Sequence, residues 1–225
     1  MQELYDIMQS KFGISEKVLQ YCIQKESEIK SQFQKIDEIT EYNQLKVLSA
    51  MQKNKLSDIH FATTTGYGYN DLGRDVLENI YADVFRTESG LVRPQLTCGT
   101  HALAVALAGN LRPGDELLSP VGLPYDTLQG VIGIRKEKGC LTEYGITYRQ
   151  VDLLPEDKFD YNGIEKAITE KTKLVTIQRS KGYRWKVSFS VAQIKELISF
   201  IKSIKKDVIC MVDNCYGEFA EIQEP

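Results

Sequence analysis

Two short stretches set the strongest limit on how this chain can fold: Lys173-Leu-Val-Thr-Ile177 and Val208-Ile-Cys-Met-Val212. A strand with one wet face alternates apolar and polar residues, whereas these runs are apolar almost throughout. They suit strands covered on both faces, which is the situation in a parallel sheet flanked by crossover helices. Between them, Val191, Ile194, Ile198 and Ile201 recur at helical spacing behind Ser190, and Gln193 three residues on completes a capping box. Strand, helix and strand therefore follow one another.

The same alternation predicts strands at Gly90–Leu96, Glu116–Leu118, Ile146–Val151, Leu174–Gln178 and Val208–Val212. Helices are expected at Thr100–Gly109, Asp126–Ile132, Tyr161–Glu170 and Val191–Lys205, with another opening at Arg74-Asp75. Repeated βα units define an α/β fold, here a mostly parallel sheet with helices on both faces. The start of the chain differs. Leu19, Cys22, Ile23, Ile29 and Phe33, then Ile39, Leu45, Val47 and Leu48, form narrow helical stripes with no strand between them. We read residues 1–56 as a helical arm and residues 57–225 as the sheet domain.

A chain of 225 residues can bury one substantial core. Its net charge of −3 is small and mixed, which argues against a nucleic-acid-binding class. Lys202, Lys205 and Lys206 read as a solvated helix face. Met1 to Asp6 lacks the layout of a signal peptide, and the apolar stretch Ala102–Gly109 is too short to span a bilayer. Five scattered cysteines without a CxxC pair, and two histidines, build no recognisable zinc site. The expectation is a reduced cytoplasmic protein with no membrane, nucleic-acid or metal partner.

Ligands of open α/β sheets bind where strands end and helices begin. Three junctions carry unusual chemistry. In Leu96-Thr-Cys-Gly-Thr-His-Ala102, Gly99 permits close backbone approach, Thr100 adds a hydroxyl, and the helix start favours a phosphate. In Gly122-Leu-Pro-Tyr-Asp-Thr127, Tyr125 can project over the sheet edge. In Val212-Asp-Asn-Cys-Tyr-Gly-Glu218, Asp213 ends a buried strand. Each has a plainer reading, as helix cap or loop packing group. Together they supply what pyridoxal 5'-phosphate (PLP) requires: an anchor for the phosphate, a ring to pack on the flat face and a carboxylate for the pyridine nitrogen.

Several motifs in order, Gly66-Tyr-Gly-Tyr-Asn-Asp-Leu-Gly-Arg-Asp75, Leu91-Val-Arg-Pro-Gln95, Gly99-Thr-His101, Leu111-Arg-Pro-Gly-Asp-Glu116, Pro124-Tyr-Asp-Thr127, Ile177-Gln-Arg-Ser-Lys-Gly-Tyr183 and Val212–Glu218, resemble the bacterial methionine gamma-lyase-like group. Its members are relatives of cystathionine lyases and are often labelled aluminium resistance proteins. The resemblance implies a PLP-dependent enzyme that cleaves a carbon–sulfur bond in an amino acid by β- or γ-elimination. It implies that Gly99, Thr100 and His101 hold the phosphate, Tyr125 stacks on the ring and Asp213 pairs with the ring nitrogen. By the same resemblance Tyr67 or Tyr69 reaches the cofactor of a neighbouring subunit, in a homodimer or homotetramer, and Arg179 and Ser180 lie near the cofactor's phenolic oxygen or the substrate carboxylate.

Members of that group carry their cofactor-bearing lysine after the Asp-Asn-Cys-Tyr-Gly-Glu-Phe motif, followed by a small domain. Lys173, Lys181 and Lys186 do not occupy that place in the order. The expectation is that this chain corresponds to the N-terminal portion, without the lysine needed for turnover unaided. Two other readings stay open: a dimerising fragment without catalysis, and a nucleotide-binding α/β protein using Gly66 and Gly68 as its glycine loop.

Overall fold

The computed structural model describes residues 2–64, 67, 69 and 71–225. The chain forms two compact units, Met1–Leu48 and Ser49–Pro225. The glycines of the alternative nucleotide loop, Gly66 and Gly68, lie outside the described residues.

The first unit is helical, as its stripes predict: α1 (Gln2–Phe12), α2 (Glu16–Glu28) and most of α3 (Lys30–Lys53). Ser15 caps α2 by accepting from the Val18 amide at 3.4 Å. Leu19 is buried, while Leu4, Val18, Phe33 and Leu45 are exposed.

The second unit opens with α4 (Leu72–Phe85) and α5 (Gly99–Asn110). Four strands then alternate with helices: β1 (Glu116–Ser119), α6 (Asp126–Ile132), β2 (Thr147–Gln150), α7 (Tyr161–Ala167), β3 (Thr172–Gln178), α8 (Val191–Ile204) and β4 (Ile209–Asp213). They form one parallel sheet in the order β2-β1-β3-β4. The order of the first three reverses at β1, because the chain goes out to β2 and returns across β1 to β3. Such a switch point opens a crevice at the carboxyl ends of the strands.

The two apolar runs are the two strands nearest the far edge, and their residues sort by parity. Val175 and Ile177 of β3, with Leu118 of β1, join Ile164, Ile194, Leu197 and Ile201 on the α7/α8 face. Leu174 and Leu117 join Leu107, Leu128 and Ile132 on the α5/α6 face. Each layer is a separate core, so both faces of the sheet are covered. The predicted capping box at Ser190 is present: Ser190 Oγ accepts from the Gln193 amide at 3.2 Å, and Gln193 Oε1 accepts from the Ser190 amide at 2.9 Å.

Two expectations need correction. Residues 90–96 form no strand. The Val92 amide donates to Glu78 Oε1 of α4 at 3.1 Å, Arg93 pairs with the same carboxylate, and the Leu96 amide closes a turn onto Arg93. With Pro94 lacking an N–H as well, this segment has no row of donors to give a ladder. The helix predicted to reach Glu170 stops at Ala167, because the following turn is claimed by a buried polar latch. Glu116, 5% exposed, accepts from Thr172 Oγ1 at 2.7 Å, from Thr169 Oγ1 at 3.3 Å and from Arg149 Nε at 3.0 Å. Replacing Glu116 by alanine leaves the fully buried Thr172 hydroxyl accepting from the Thr169 amide but without the carboxylate to which it donates, and we expect a loss of about 2 kcal/mol. Urea denaturation of the Glu116→Ala variant checks this, and a change under about 0.5 kcal/mol would contradict the latch.

Candidate functional site

Side-chain parity carries the core pattern to the end of the sheet. Ile209 and Met211 of β4 pack on the α5/α6 face, so Asp213, two residues further, projects from that face as well. Leu174 and Thr176 lead by the same count to Gln178 at the end of β3. Gln178 and Asp213 are register partners in the parallel ladder, which sets their backbones about 5 Å apart.

On this face lie the starts of two helices. Tyr125 directly precedes α6, and its amide donates to Gln178 Oε1 at 2.8 Å. Gly99 opens α5, and Thr100 of its first turn bonds Thr127 of the first turn of α6 through their hydroxyls at 2.8 Å. A continuous path thus runs from Thr100 through Thr127, Tyr125 and Gln178 to Asp213, all at the carboxyl edge of the sheet. The phosphate-type junction and the strand-end carboxylate are on the same side of the molecule.

The local chemistry follows from these positions. The first amides of α5 have no intrahelical acceptors, and a Cβ built on Gly99 would meet nothing within 4 Å. Open space therefore lies in front of the start of this 12-residue helix, with the Thr100 hydroxyl beside it. His101 contributes to the cap instead: its amide donates to Cys98 Sγ at 3.4 Å, and its Nδ1 lies 3.4 Å from both the Thr97 amide and the Thr97 hydroxyl. Asp213 Oδ1 accepts from the Cys215 amide at 3.1 Å, which fixes the carboxylate and leaves its other oxygen available for a second donor.

Tyr125 is 39% exposed. Partial desolvation, followed by the Asp126 carboxylate and by Tyr183, Tyr216 and Cys215, raises its phenol above the ordinary value and keeps it protonated. Those same neighbours bring the loops after β3 and β4 to the ring. Gly182, at φ +58°, turns the post-β3 loop so that a Cβ there would sit 3.5 Å from Tyr125 Cδ2, and the Tyr183 ring lies 6.3 Å from that of Tyr125.

Arg179 is engaged inside the protein. At 4% exposure, its guanidinium donates to Phe189 O at 3.1 Å, Asn214 Oδ1 at 2.7 Å, Gly217 O at 2.8 Å and Glu221 Oε1 at 2.5 Å. Ser180 sits next to it, its carbonyl accepting from Gln178 Nε2 at 3.0 Å. Tyr67 and Tyr69 are exposed on the segment before α4. Among the described residues no group of three or more His, Cys, Asp or Glu could hold a metal ion, and no helix is long and apolar enough to cross a membrane.

A family model for methionine gamma-lyase matches residues 18–225. The chain belongs to the methionine gamma-lyase family. Within it, 206 residues are 51% identical to the uncharacterized Bacillus subtilis protein YnbB, covering 91% of this chain and 49% of that one. A Clostridium novyi NT crystal structure, of a carbon-sulfur lyase involved in aluminum resistance, is 47% identical with a TM-score of 0.93, over all of this chain and 54% of that one. A Listeria innocua structure, whose name proposes a cystathionine beta-lyase involved in aluminum resistance, is 51% identical with a TM-score of 0.90, over 94% of this chain and 52% of that one. The chain spans about half the length of these relatives. The PLP-dependent Escherichia coli protein YhfS, 19% identical with a TM-score of 0.57 over 80% of this chain and 45% of that one, shares the fold.

One residue at the centre of this path in the methionine gamma-lyase family chain is not among the candidates the sequence offers. The sequence marks Gln178 only as a strand end and part of a motif, yet it joins Tyr125 to the strand that carries Asp213. Its parity with Leu174 in a run buried on both faces, and the equivalent place of Asp213 in the next run, were the signals available.

Proposed function

We propose that this chain forms the cofactor-binding domain of a PLP-dependent carbon–sulfur lyase acting on a sulfur-containing amino acid. The observation that carries the reading is the unbroken contact path from Thr100 to Asp213 along one sheet edge. The residues present fit the cofactor. The open space at Gly99, before free helix amides and the Thr100 hydroxyl, suits a phosphate, with His101 holding that helix start in shape. Tyr125 offers a partly exposed ring to a flat face, and Asp213 offers a fixed carboxylate to a protonated ring nitrogen.

When bound, PLP would withdraw electrons from the substrate's α carbon and so permit a thiol to leave from the β or γ carbon. Asp213 keeps the proton on the ring nitrogen that makes this withdrawal possible. The Tyr125 phenol, held protonated, can donate toward a group above the ring. Arg179 acts on the site through Asn214 and the β4 exit loop, and Ser180 beside it is assigned to the neighbourhood of the cofactor's phenolic oxygen or the substrate carboxylate. Tyr67 or Tyr69, both exposed, completes the site of a second copy in a homodimer or homotetramer; residues 1–56 form a helical arm and residues 57–225 the sheet domain.

PLP and pyridoxal, which lacks the phosphate, are titrated into the chain by equilibrium dialysis, beside the Gly99→Ala variant. Pyridoxal is expected to bind at least about tenfold more weakly than PLP. Gly99→Ala loses a similar factor while melting normally, since its methyl enters open space. Equal affinity for both compounds would dismiss the phosphate site. Thiol release from cystathionine, cysteine and methionine by the assembled enzyme tests the substrate class.

A further inference from the structure

We infer that Gln178 is the positioning residue of this site: its single side-chain amide sets the spacing between the Tyr125 ring and the Asp213 carboxylate. The inference rests on the cofactor reading above and assigns a task to a residue that, in that reading, links the path without touching the cofactor.

The geometry is specific to an amide. Gln178 Oε1 accepts from the Tyr125 amide at 2.8 Å, and Gln178 Nε2 donates to Ser180 O at 3.0 Å. Only one orientation of the amide satisfies both, because the exchanged one faces N–H with NH₂ and carbonyl with carbonyl. The two partners lie in different loops, one after β1 and one after β3, and they are 55 residues apart in sequence (180 − 125). The backbone of the same residue is laddered beside Asp213 on β4. One residue thereby ties three strand ends, β1 and β3 through its side chain and β4 through its backbone.

The consequence reaches the ring. By holding the Ser180 carbonyl, Gln178 fixes the start of the loop whose Gly182 and Tyr183 pack against Tyr125. By holding the Tyr125 amide, it fixes the backbone from which that ring projects. A glutamate here keeps an acceptor for Tyr125 but presents a second oxygen to Ser180 O, which repels it. A methionine keeps the length and removes both bonds.

The test uses the full chain, as wild type, Gln178→Glu and Gln178→Met, with PLP as the probe. Three readouts are taken: thermal midpoint, PLP dissociation constant and the visible circular dichroism that a fixed ring induces in bound PLP. Both variants are expected to melt within a few degrees of wild type, to bind PLP about tenfold more weakly and to lose most of the induced dichroism at saturating PLP. A purely structural role would lower the melting point and leave the dichroism of the saturated protein intact. Amide hydrogen exchange keeps the idea testable should one variant fold poorly: residues 125–127 and 180–183 are expected to lose protection together in whichever variant folds. If wild type binds PLP and both variants keep its dichroism, this inference falls alone. If wild type does not bind PLP, the cofactor reading falls and takes this inference with it.

Discussion

Arg179→Ala is expected to lower the unfolding free energy by about 3–5 kcal/mol, the range for breaking a buried charge network by removing one partner. The guanidinium is almost wholly buried and donates in three directions: to Phe189 at the start of the chain leading into α8, to Asn214 and Gly217 after β4, and to Glu221. Its loss leaves the Gly217 and Phe189 carbonyls without these donors, in a place where water cannot readily follow. Glu221 is about a third exposed and can rehydrate, which places the cost toward the lower end. For a chain of this size, about 3 kcal/mol lowers the melting temperature by about 6–12 °C. Lysine cannot imitate the fork, so Arg179→Lys recovers only part of the loss. Urea denaturation and calorimetry read the effect, and a shift under about 1 kcal/mol would show that the network is not structural.

That network also explains what the sequence could and could not disclose. Arg179, next to a strand end, has the place of a ligand-binding group, and nothing in a linear reading reveals that Asn214, Gly217 and Glu221, some 35–42 residues on, will fold around it. The strands β3 and β4 were legible because burial on both faces removes the polar alternation altogether, and α8 because its capping box is local. Tyr125, Gly99 and Asp213 were legible as a set because the fold fixes where strand ends and helix starts must go. Residues 90–96 misled for the opposite reason. Leu91, Val92 and Leu96 have strand composition, but the acceptor that claims the Val92 amide is Glu78, a side chain on the preceding helix. Likewise α7 ends early because Thr169 and Thr172 answer to Glu116, more than 50 residues away. Local signals survived where neighbours in sequence supplied the partners. They failed where a distant side chain took a backbone or hydroxyl group out of the local pattern.

Asp213→Asn is expected to weaken PLP binding by about 10- to 100-fold, because a hydrogen bond to a charged partner contributes about 1.5–3 kcal/mol. Asparagine keeps the size of the side chain, and its oxygen can still accept from the Cys215 amide, so the β4 exit loop keeps its shape. What disappears is the negative charge that, on the proposed function, would face the ring nitrogen. Asp213→Ala removes the bond to Cys215 as well and is expected to fall at or below the asparagine variant. The phosphate end provides the internal control. Inorganic phosphate, a probe without a ring, should bind wild type and Asp213→Asn alike, while Gly99→Ala weakens it. A screened long-range effect of charge would instead weaken PLP and phosphate in parallel and fade with added salt. Should Asp213→Asn hold PLP within about threefold of wild type, the carboxylate would not be paired with the ring, and the cofactor would have to sit elsewhere on this edge of the sheet.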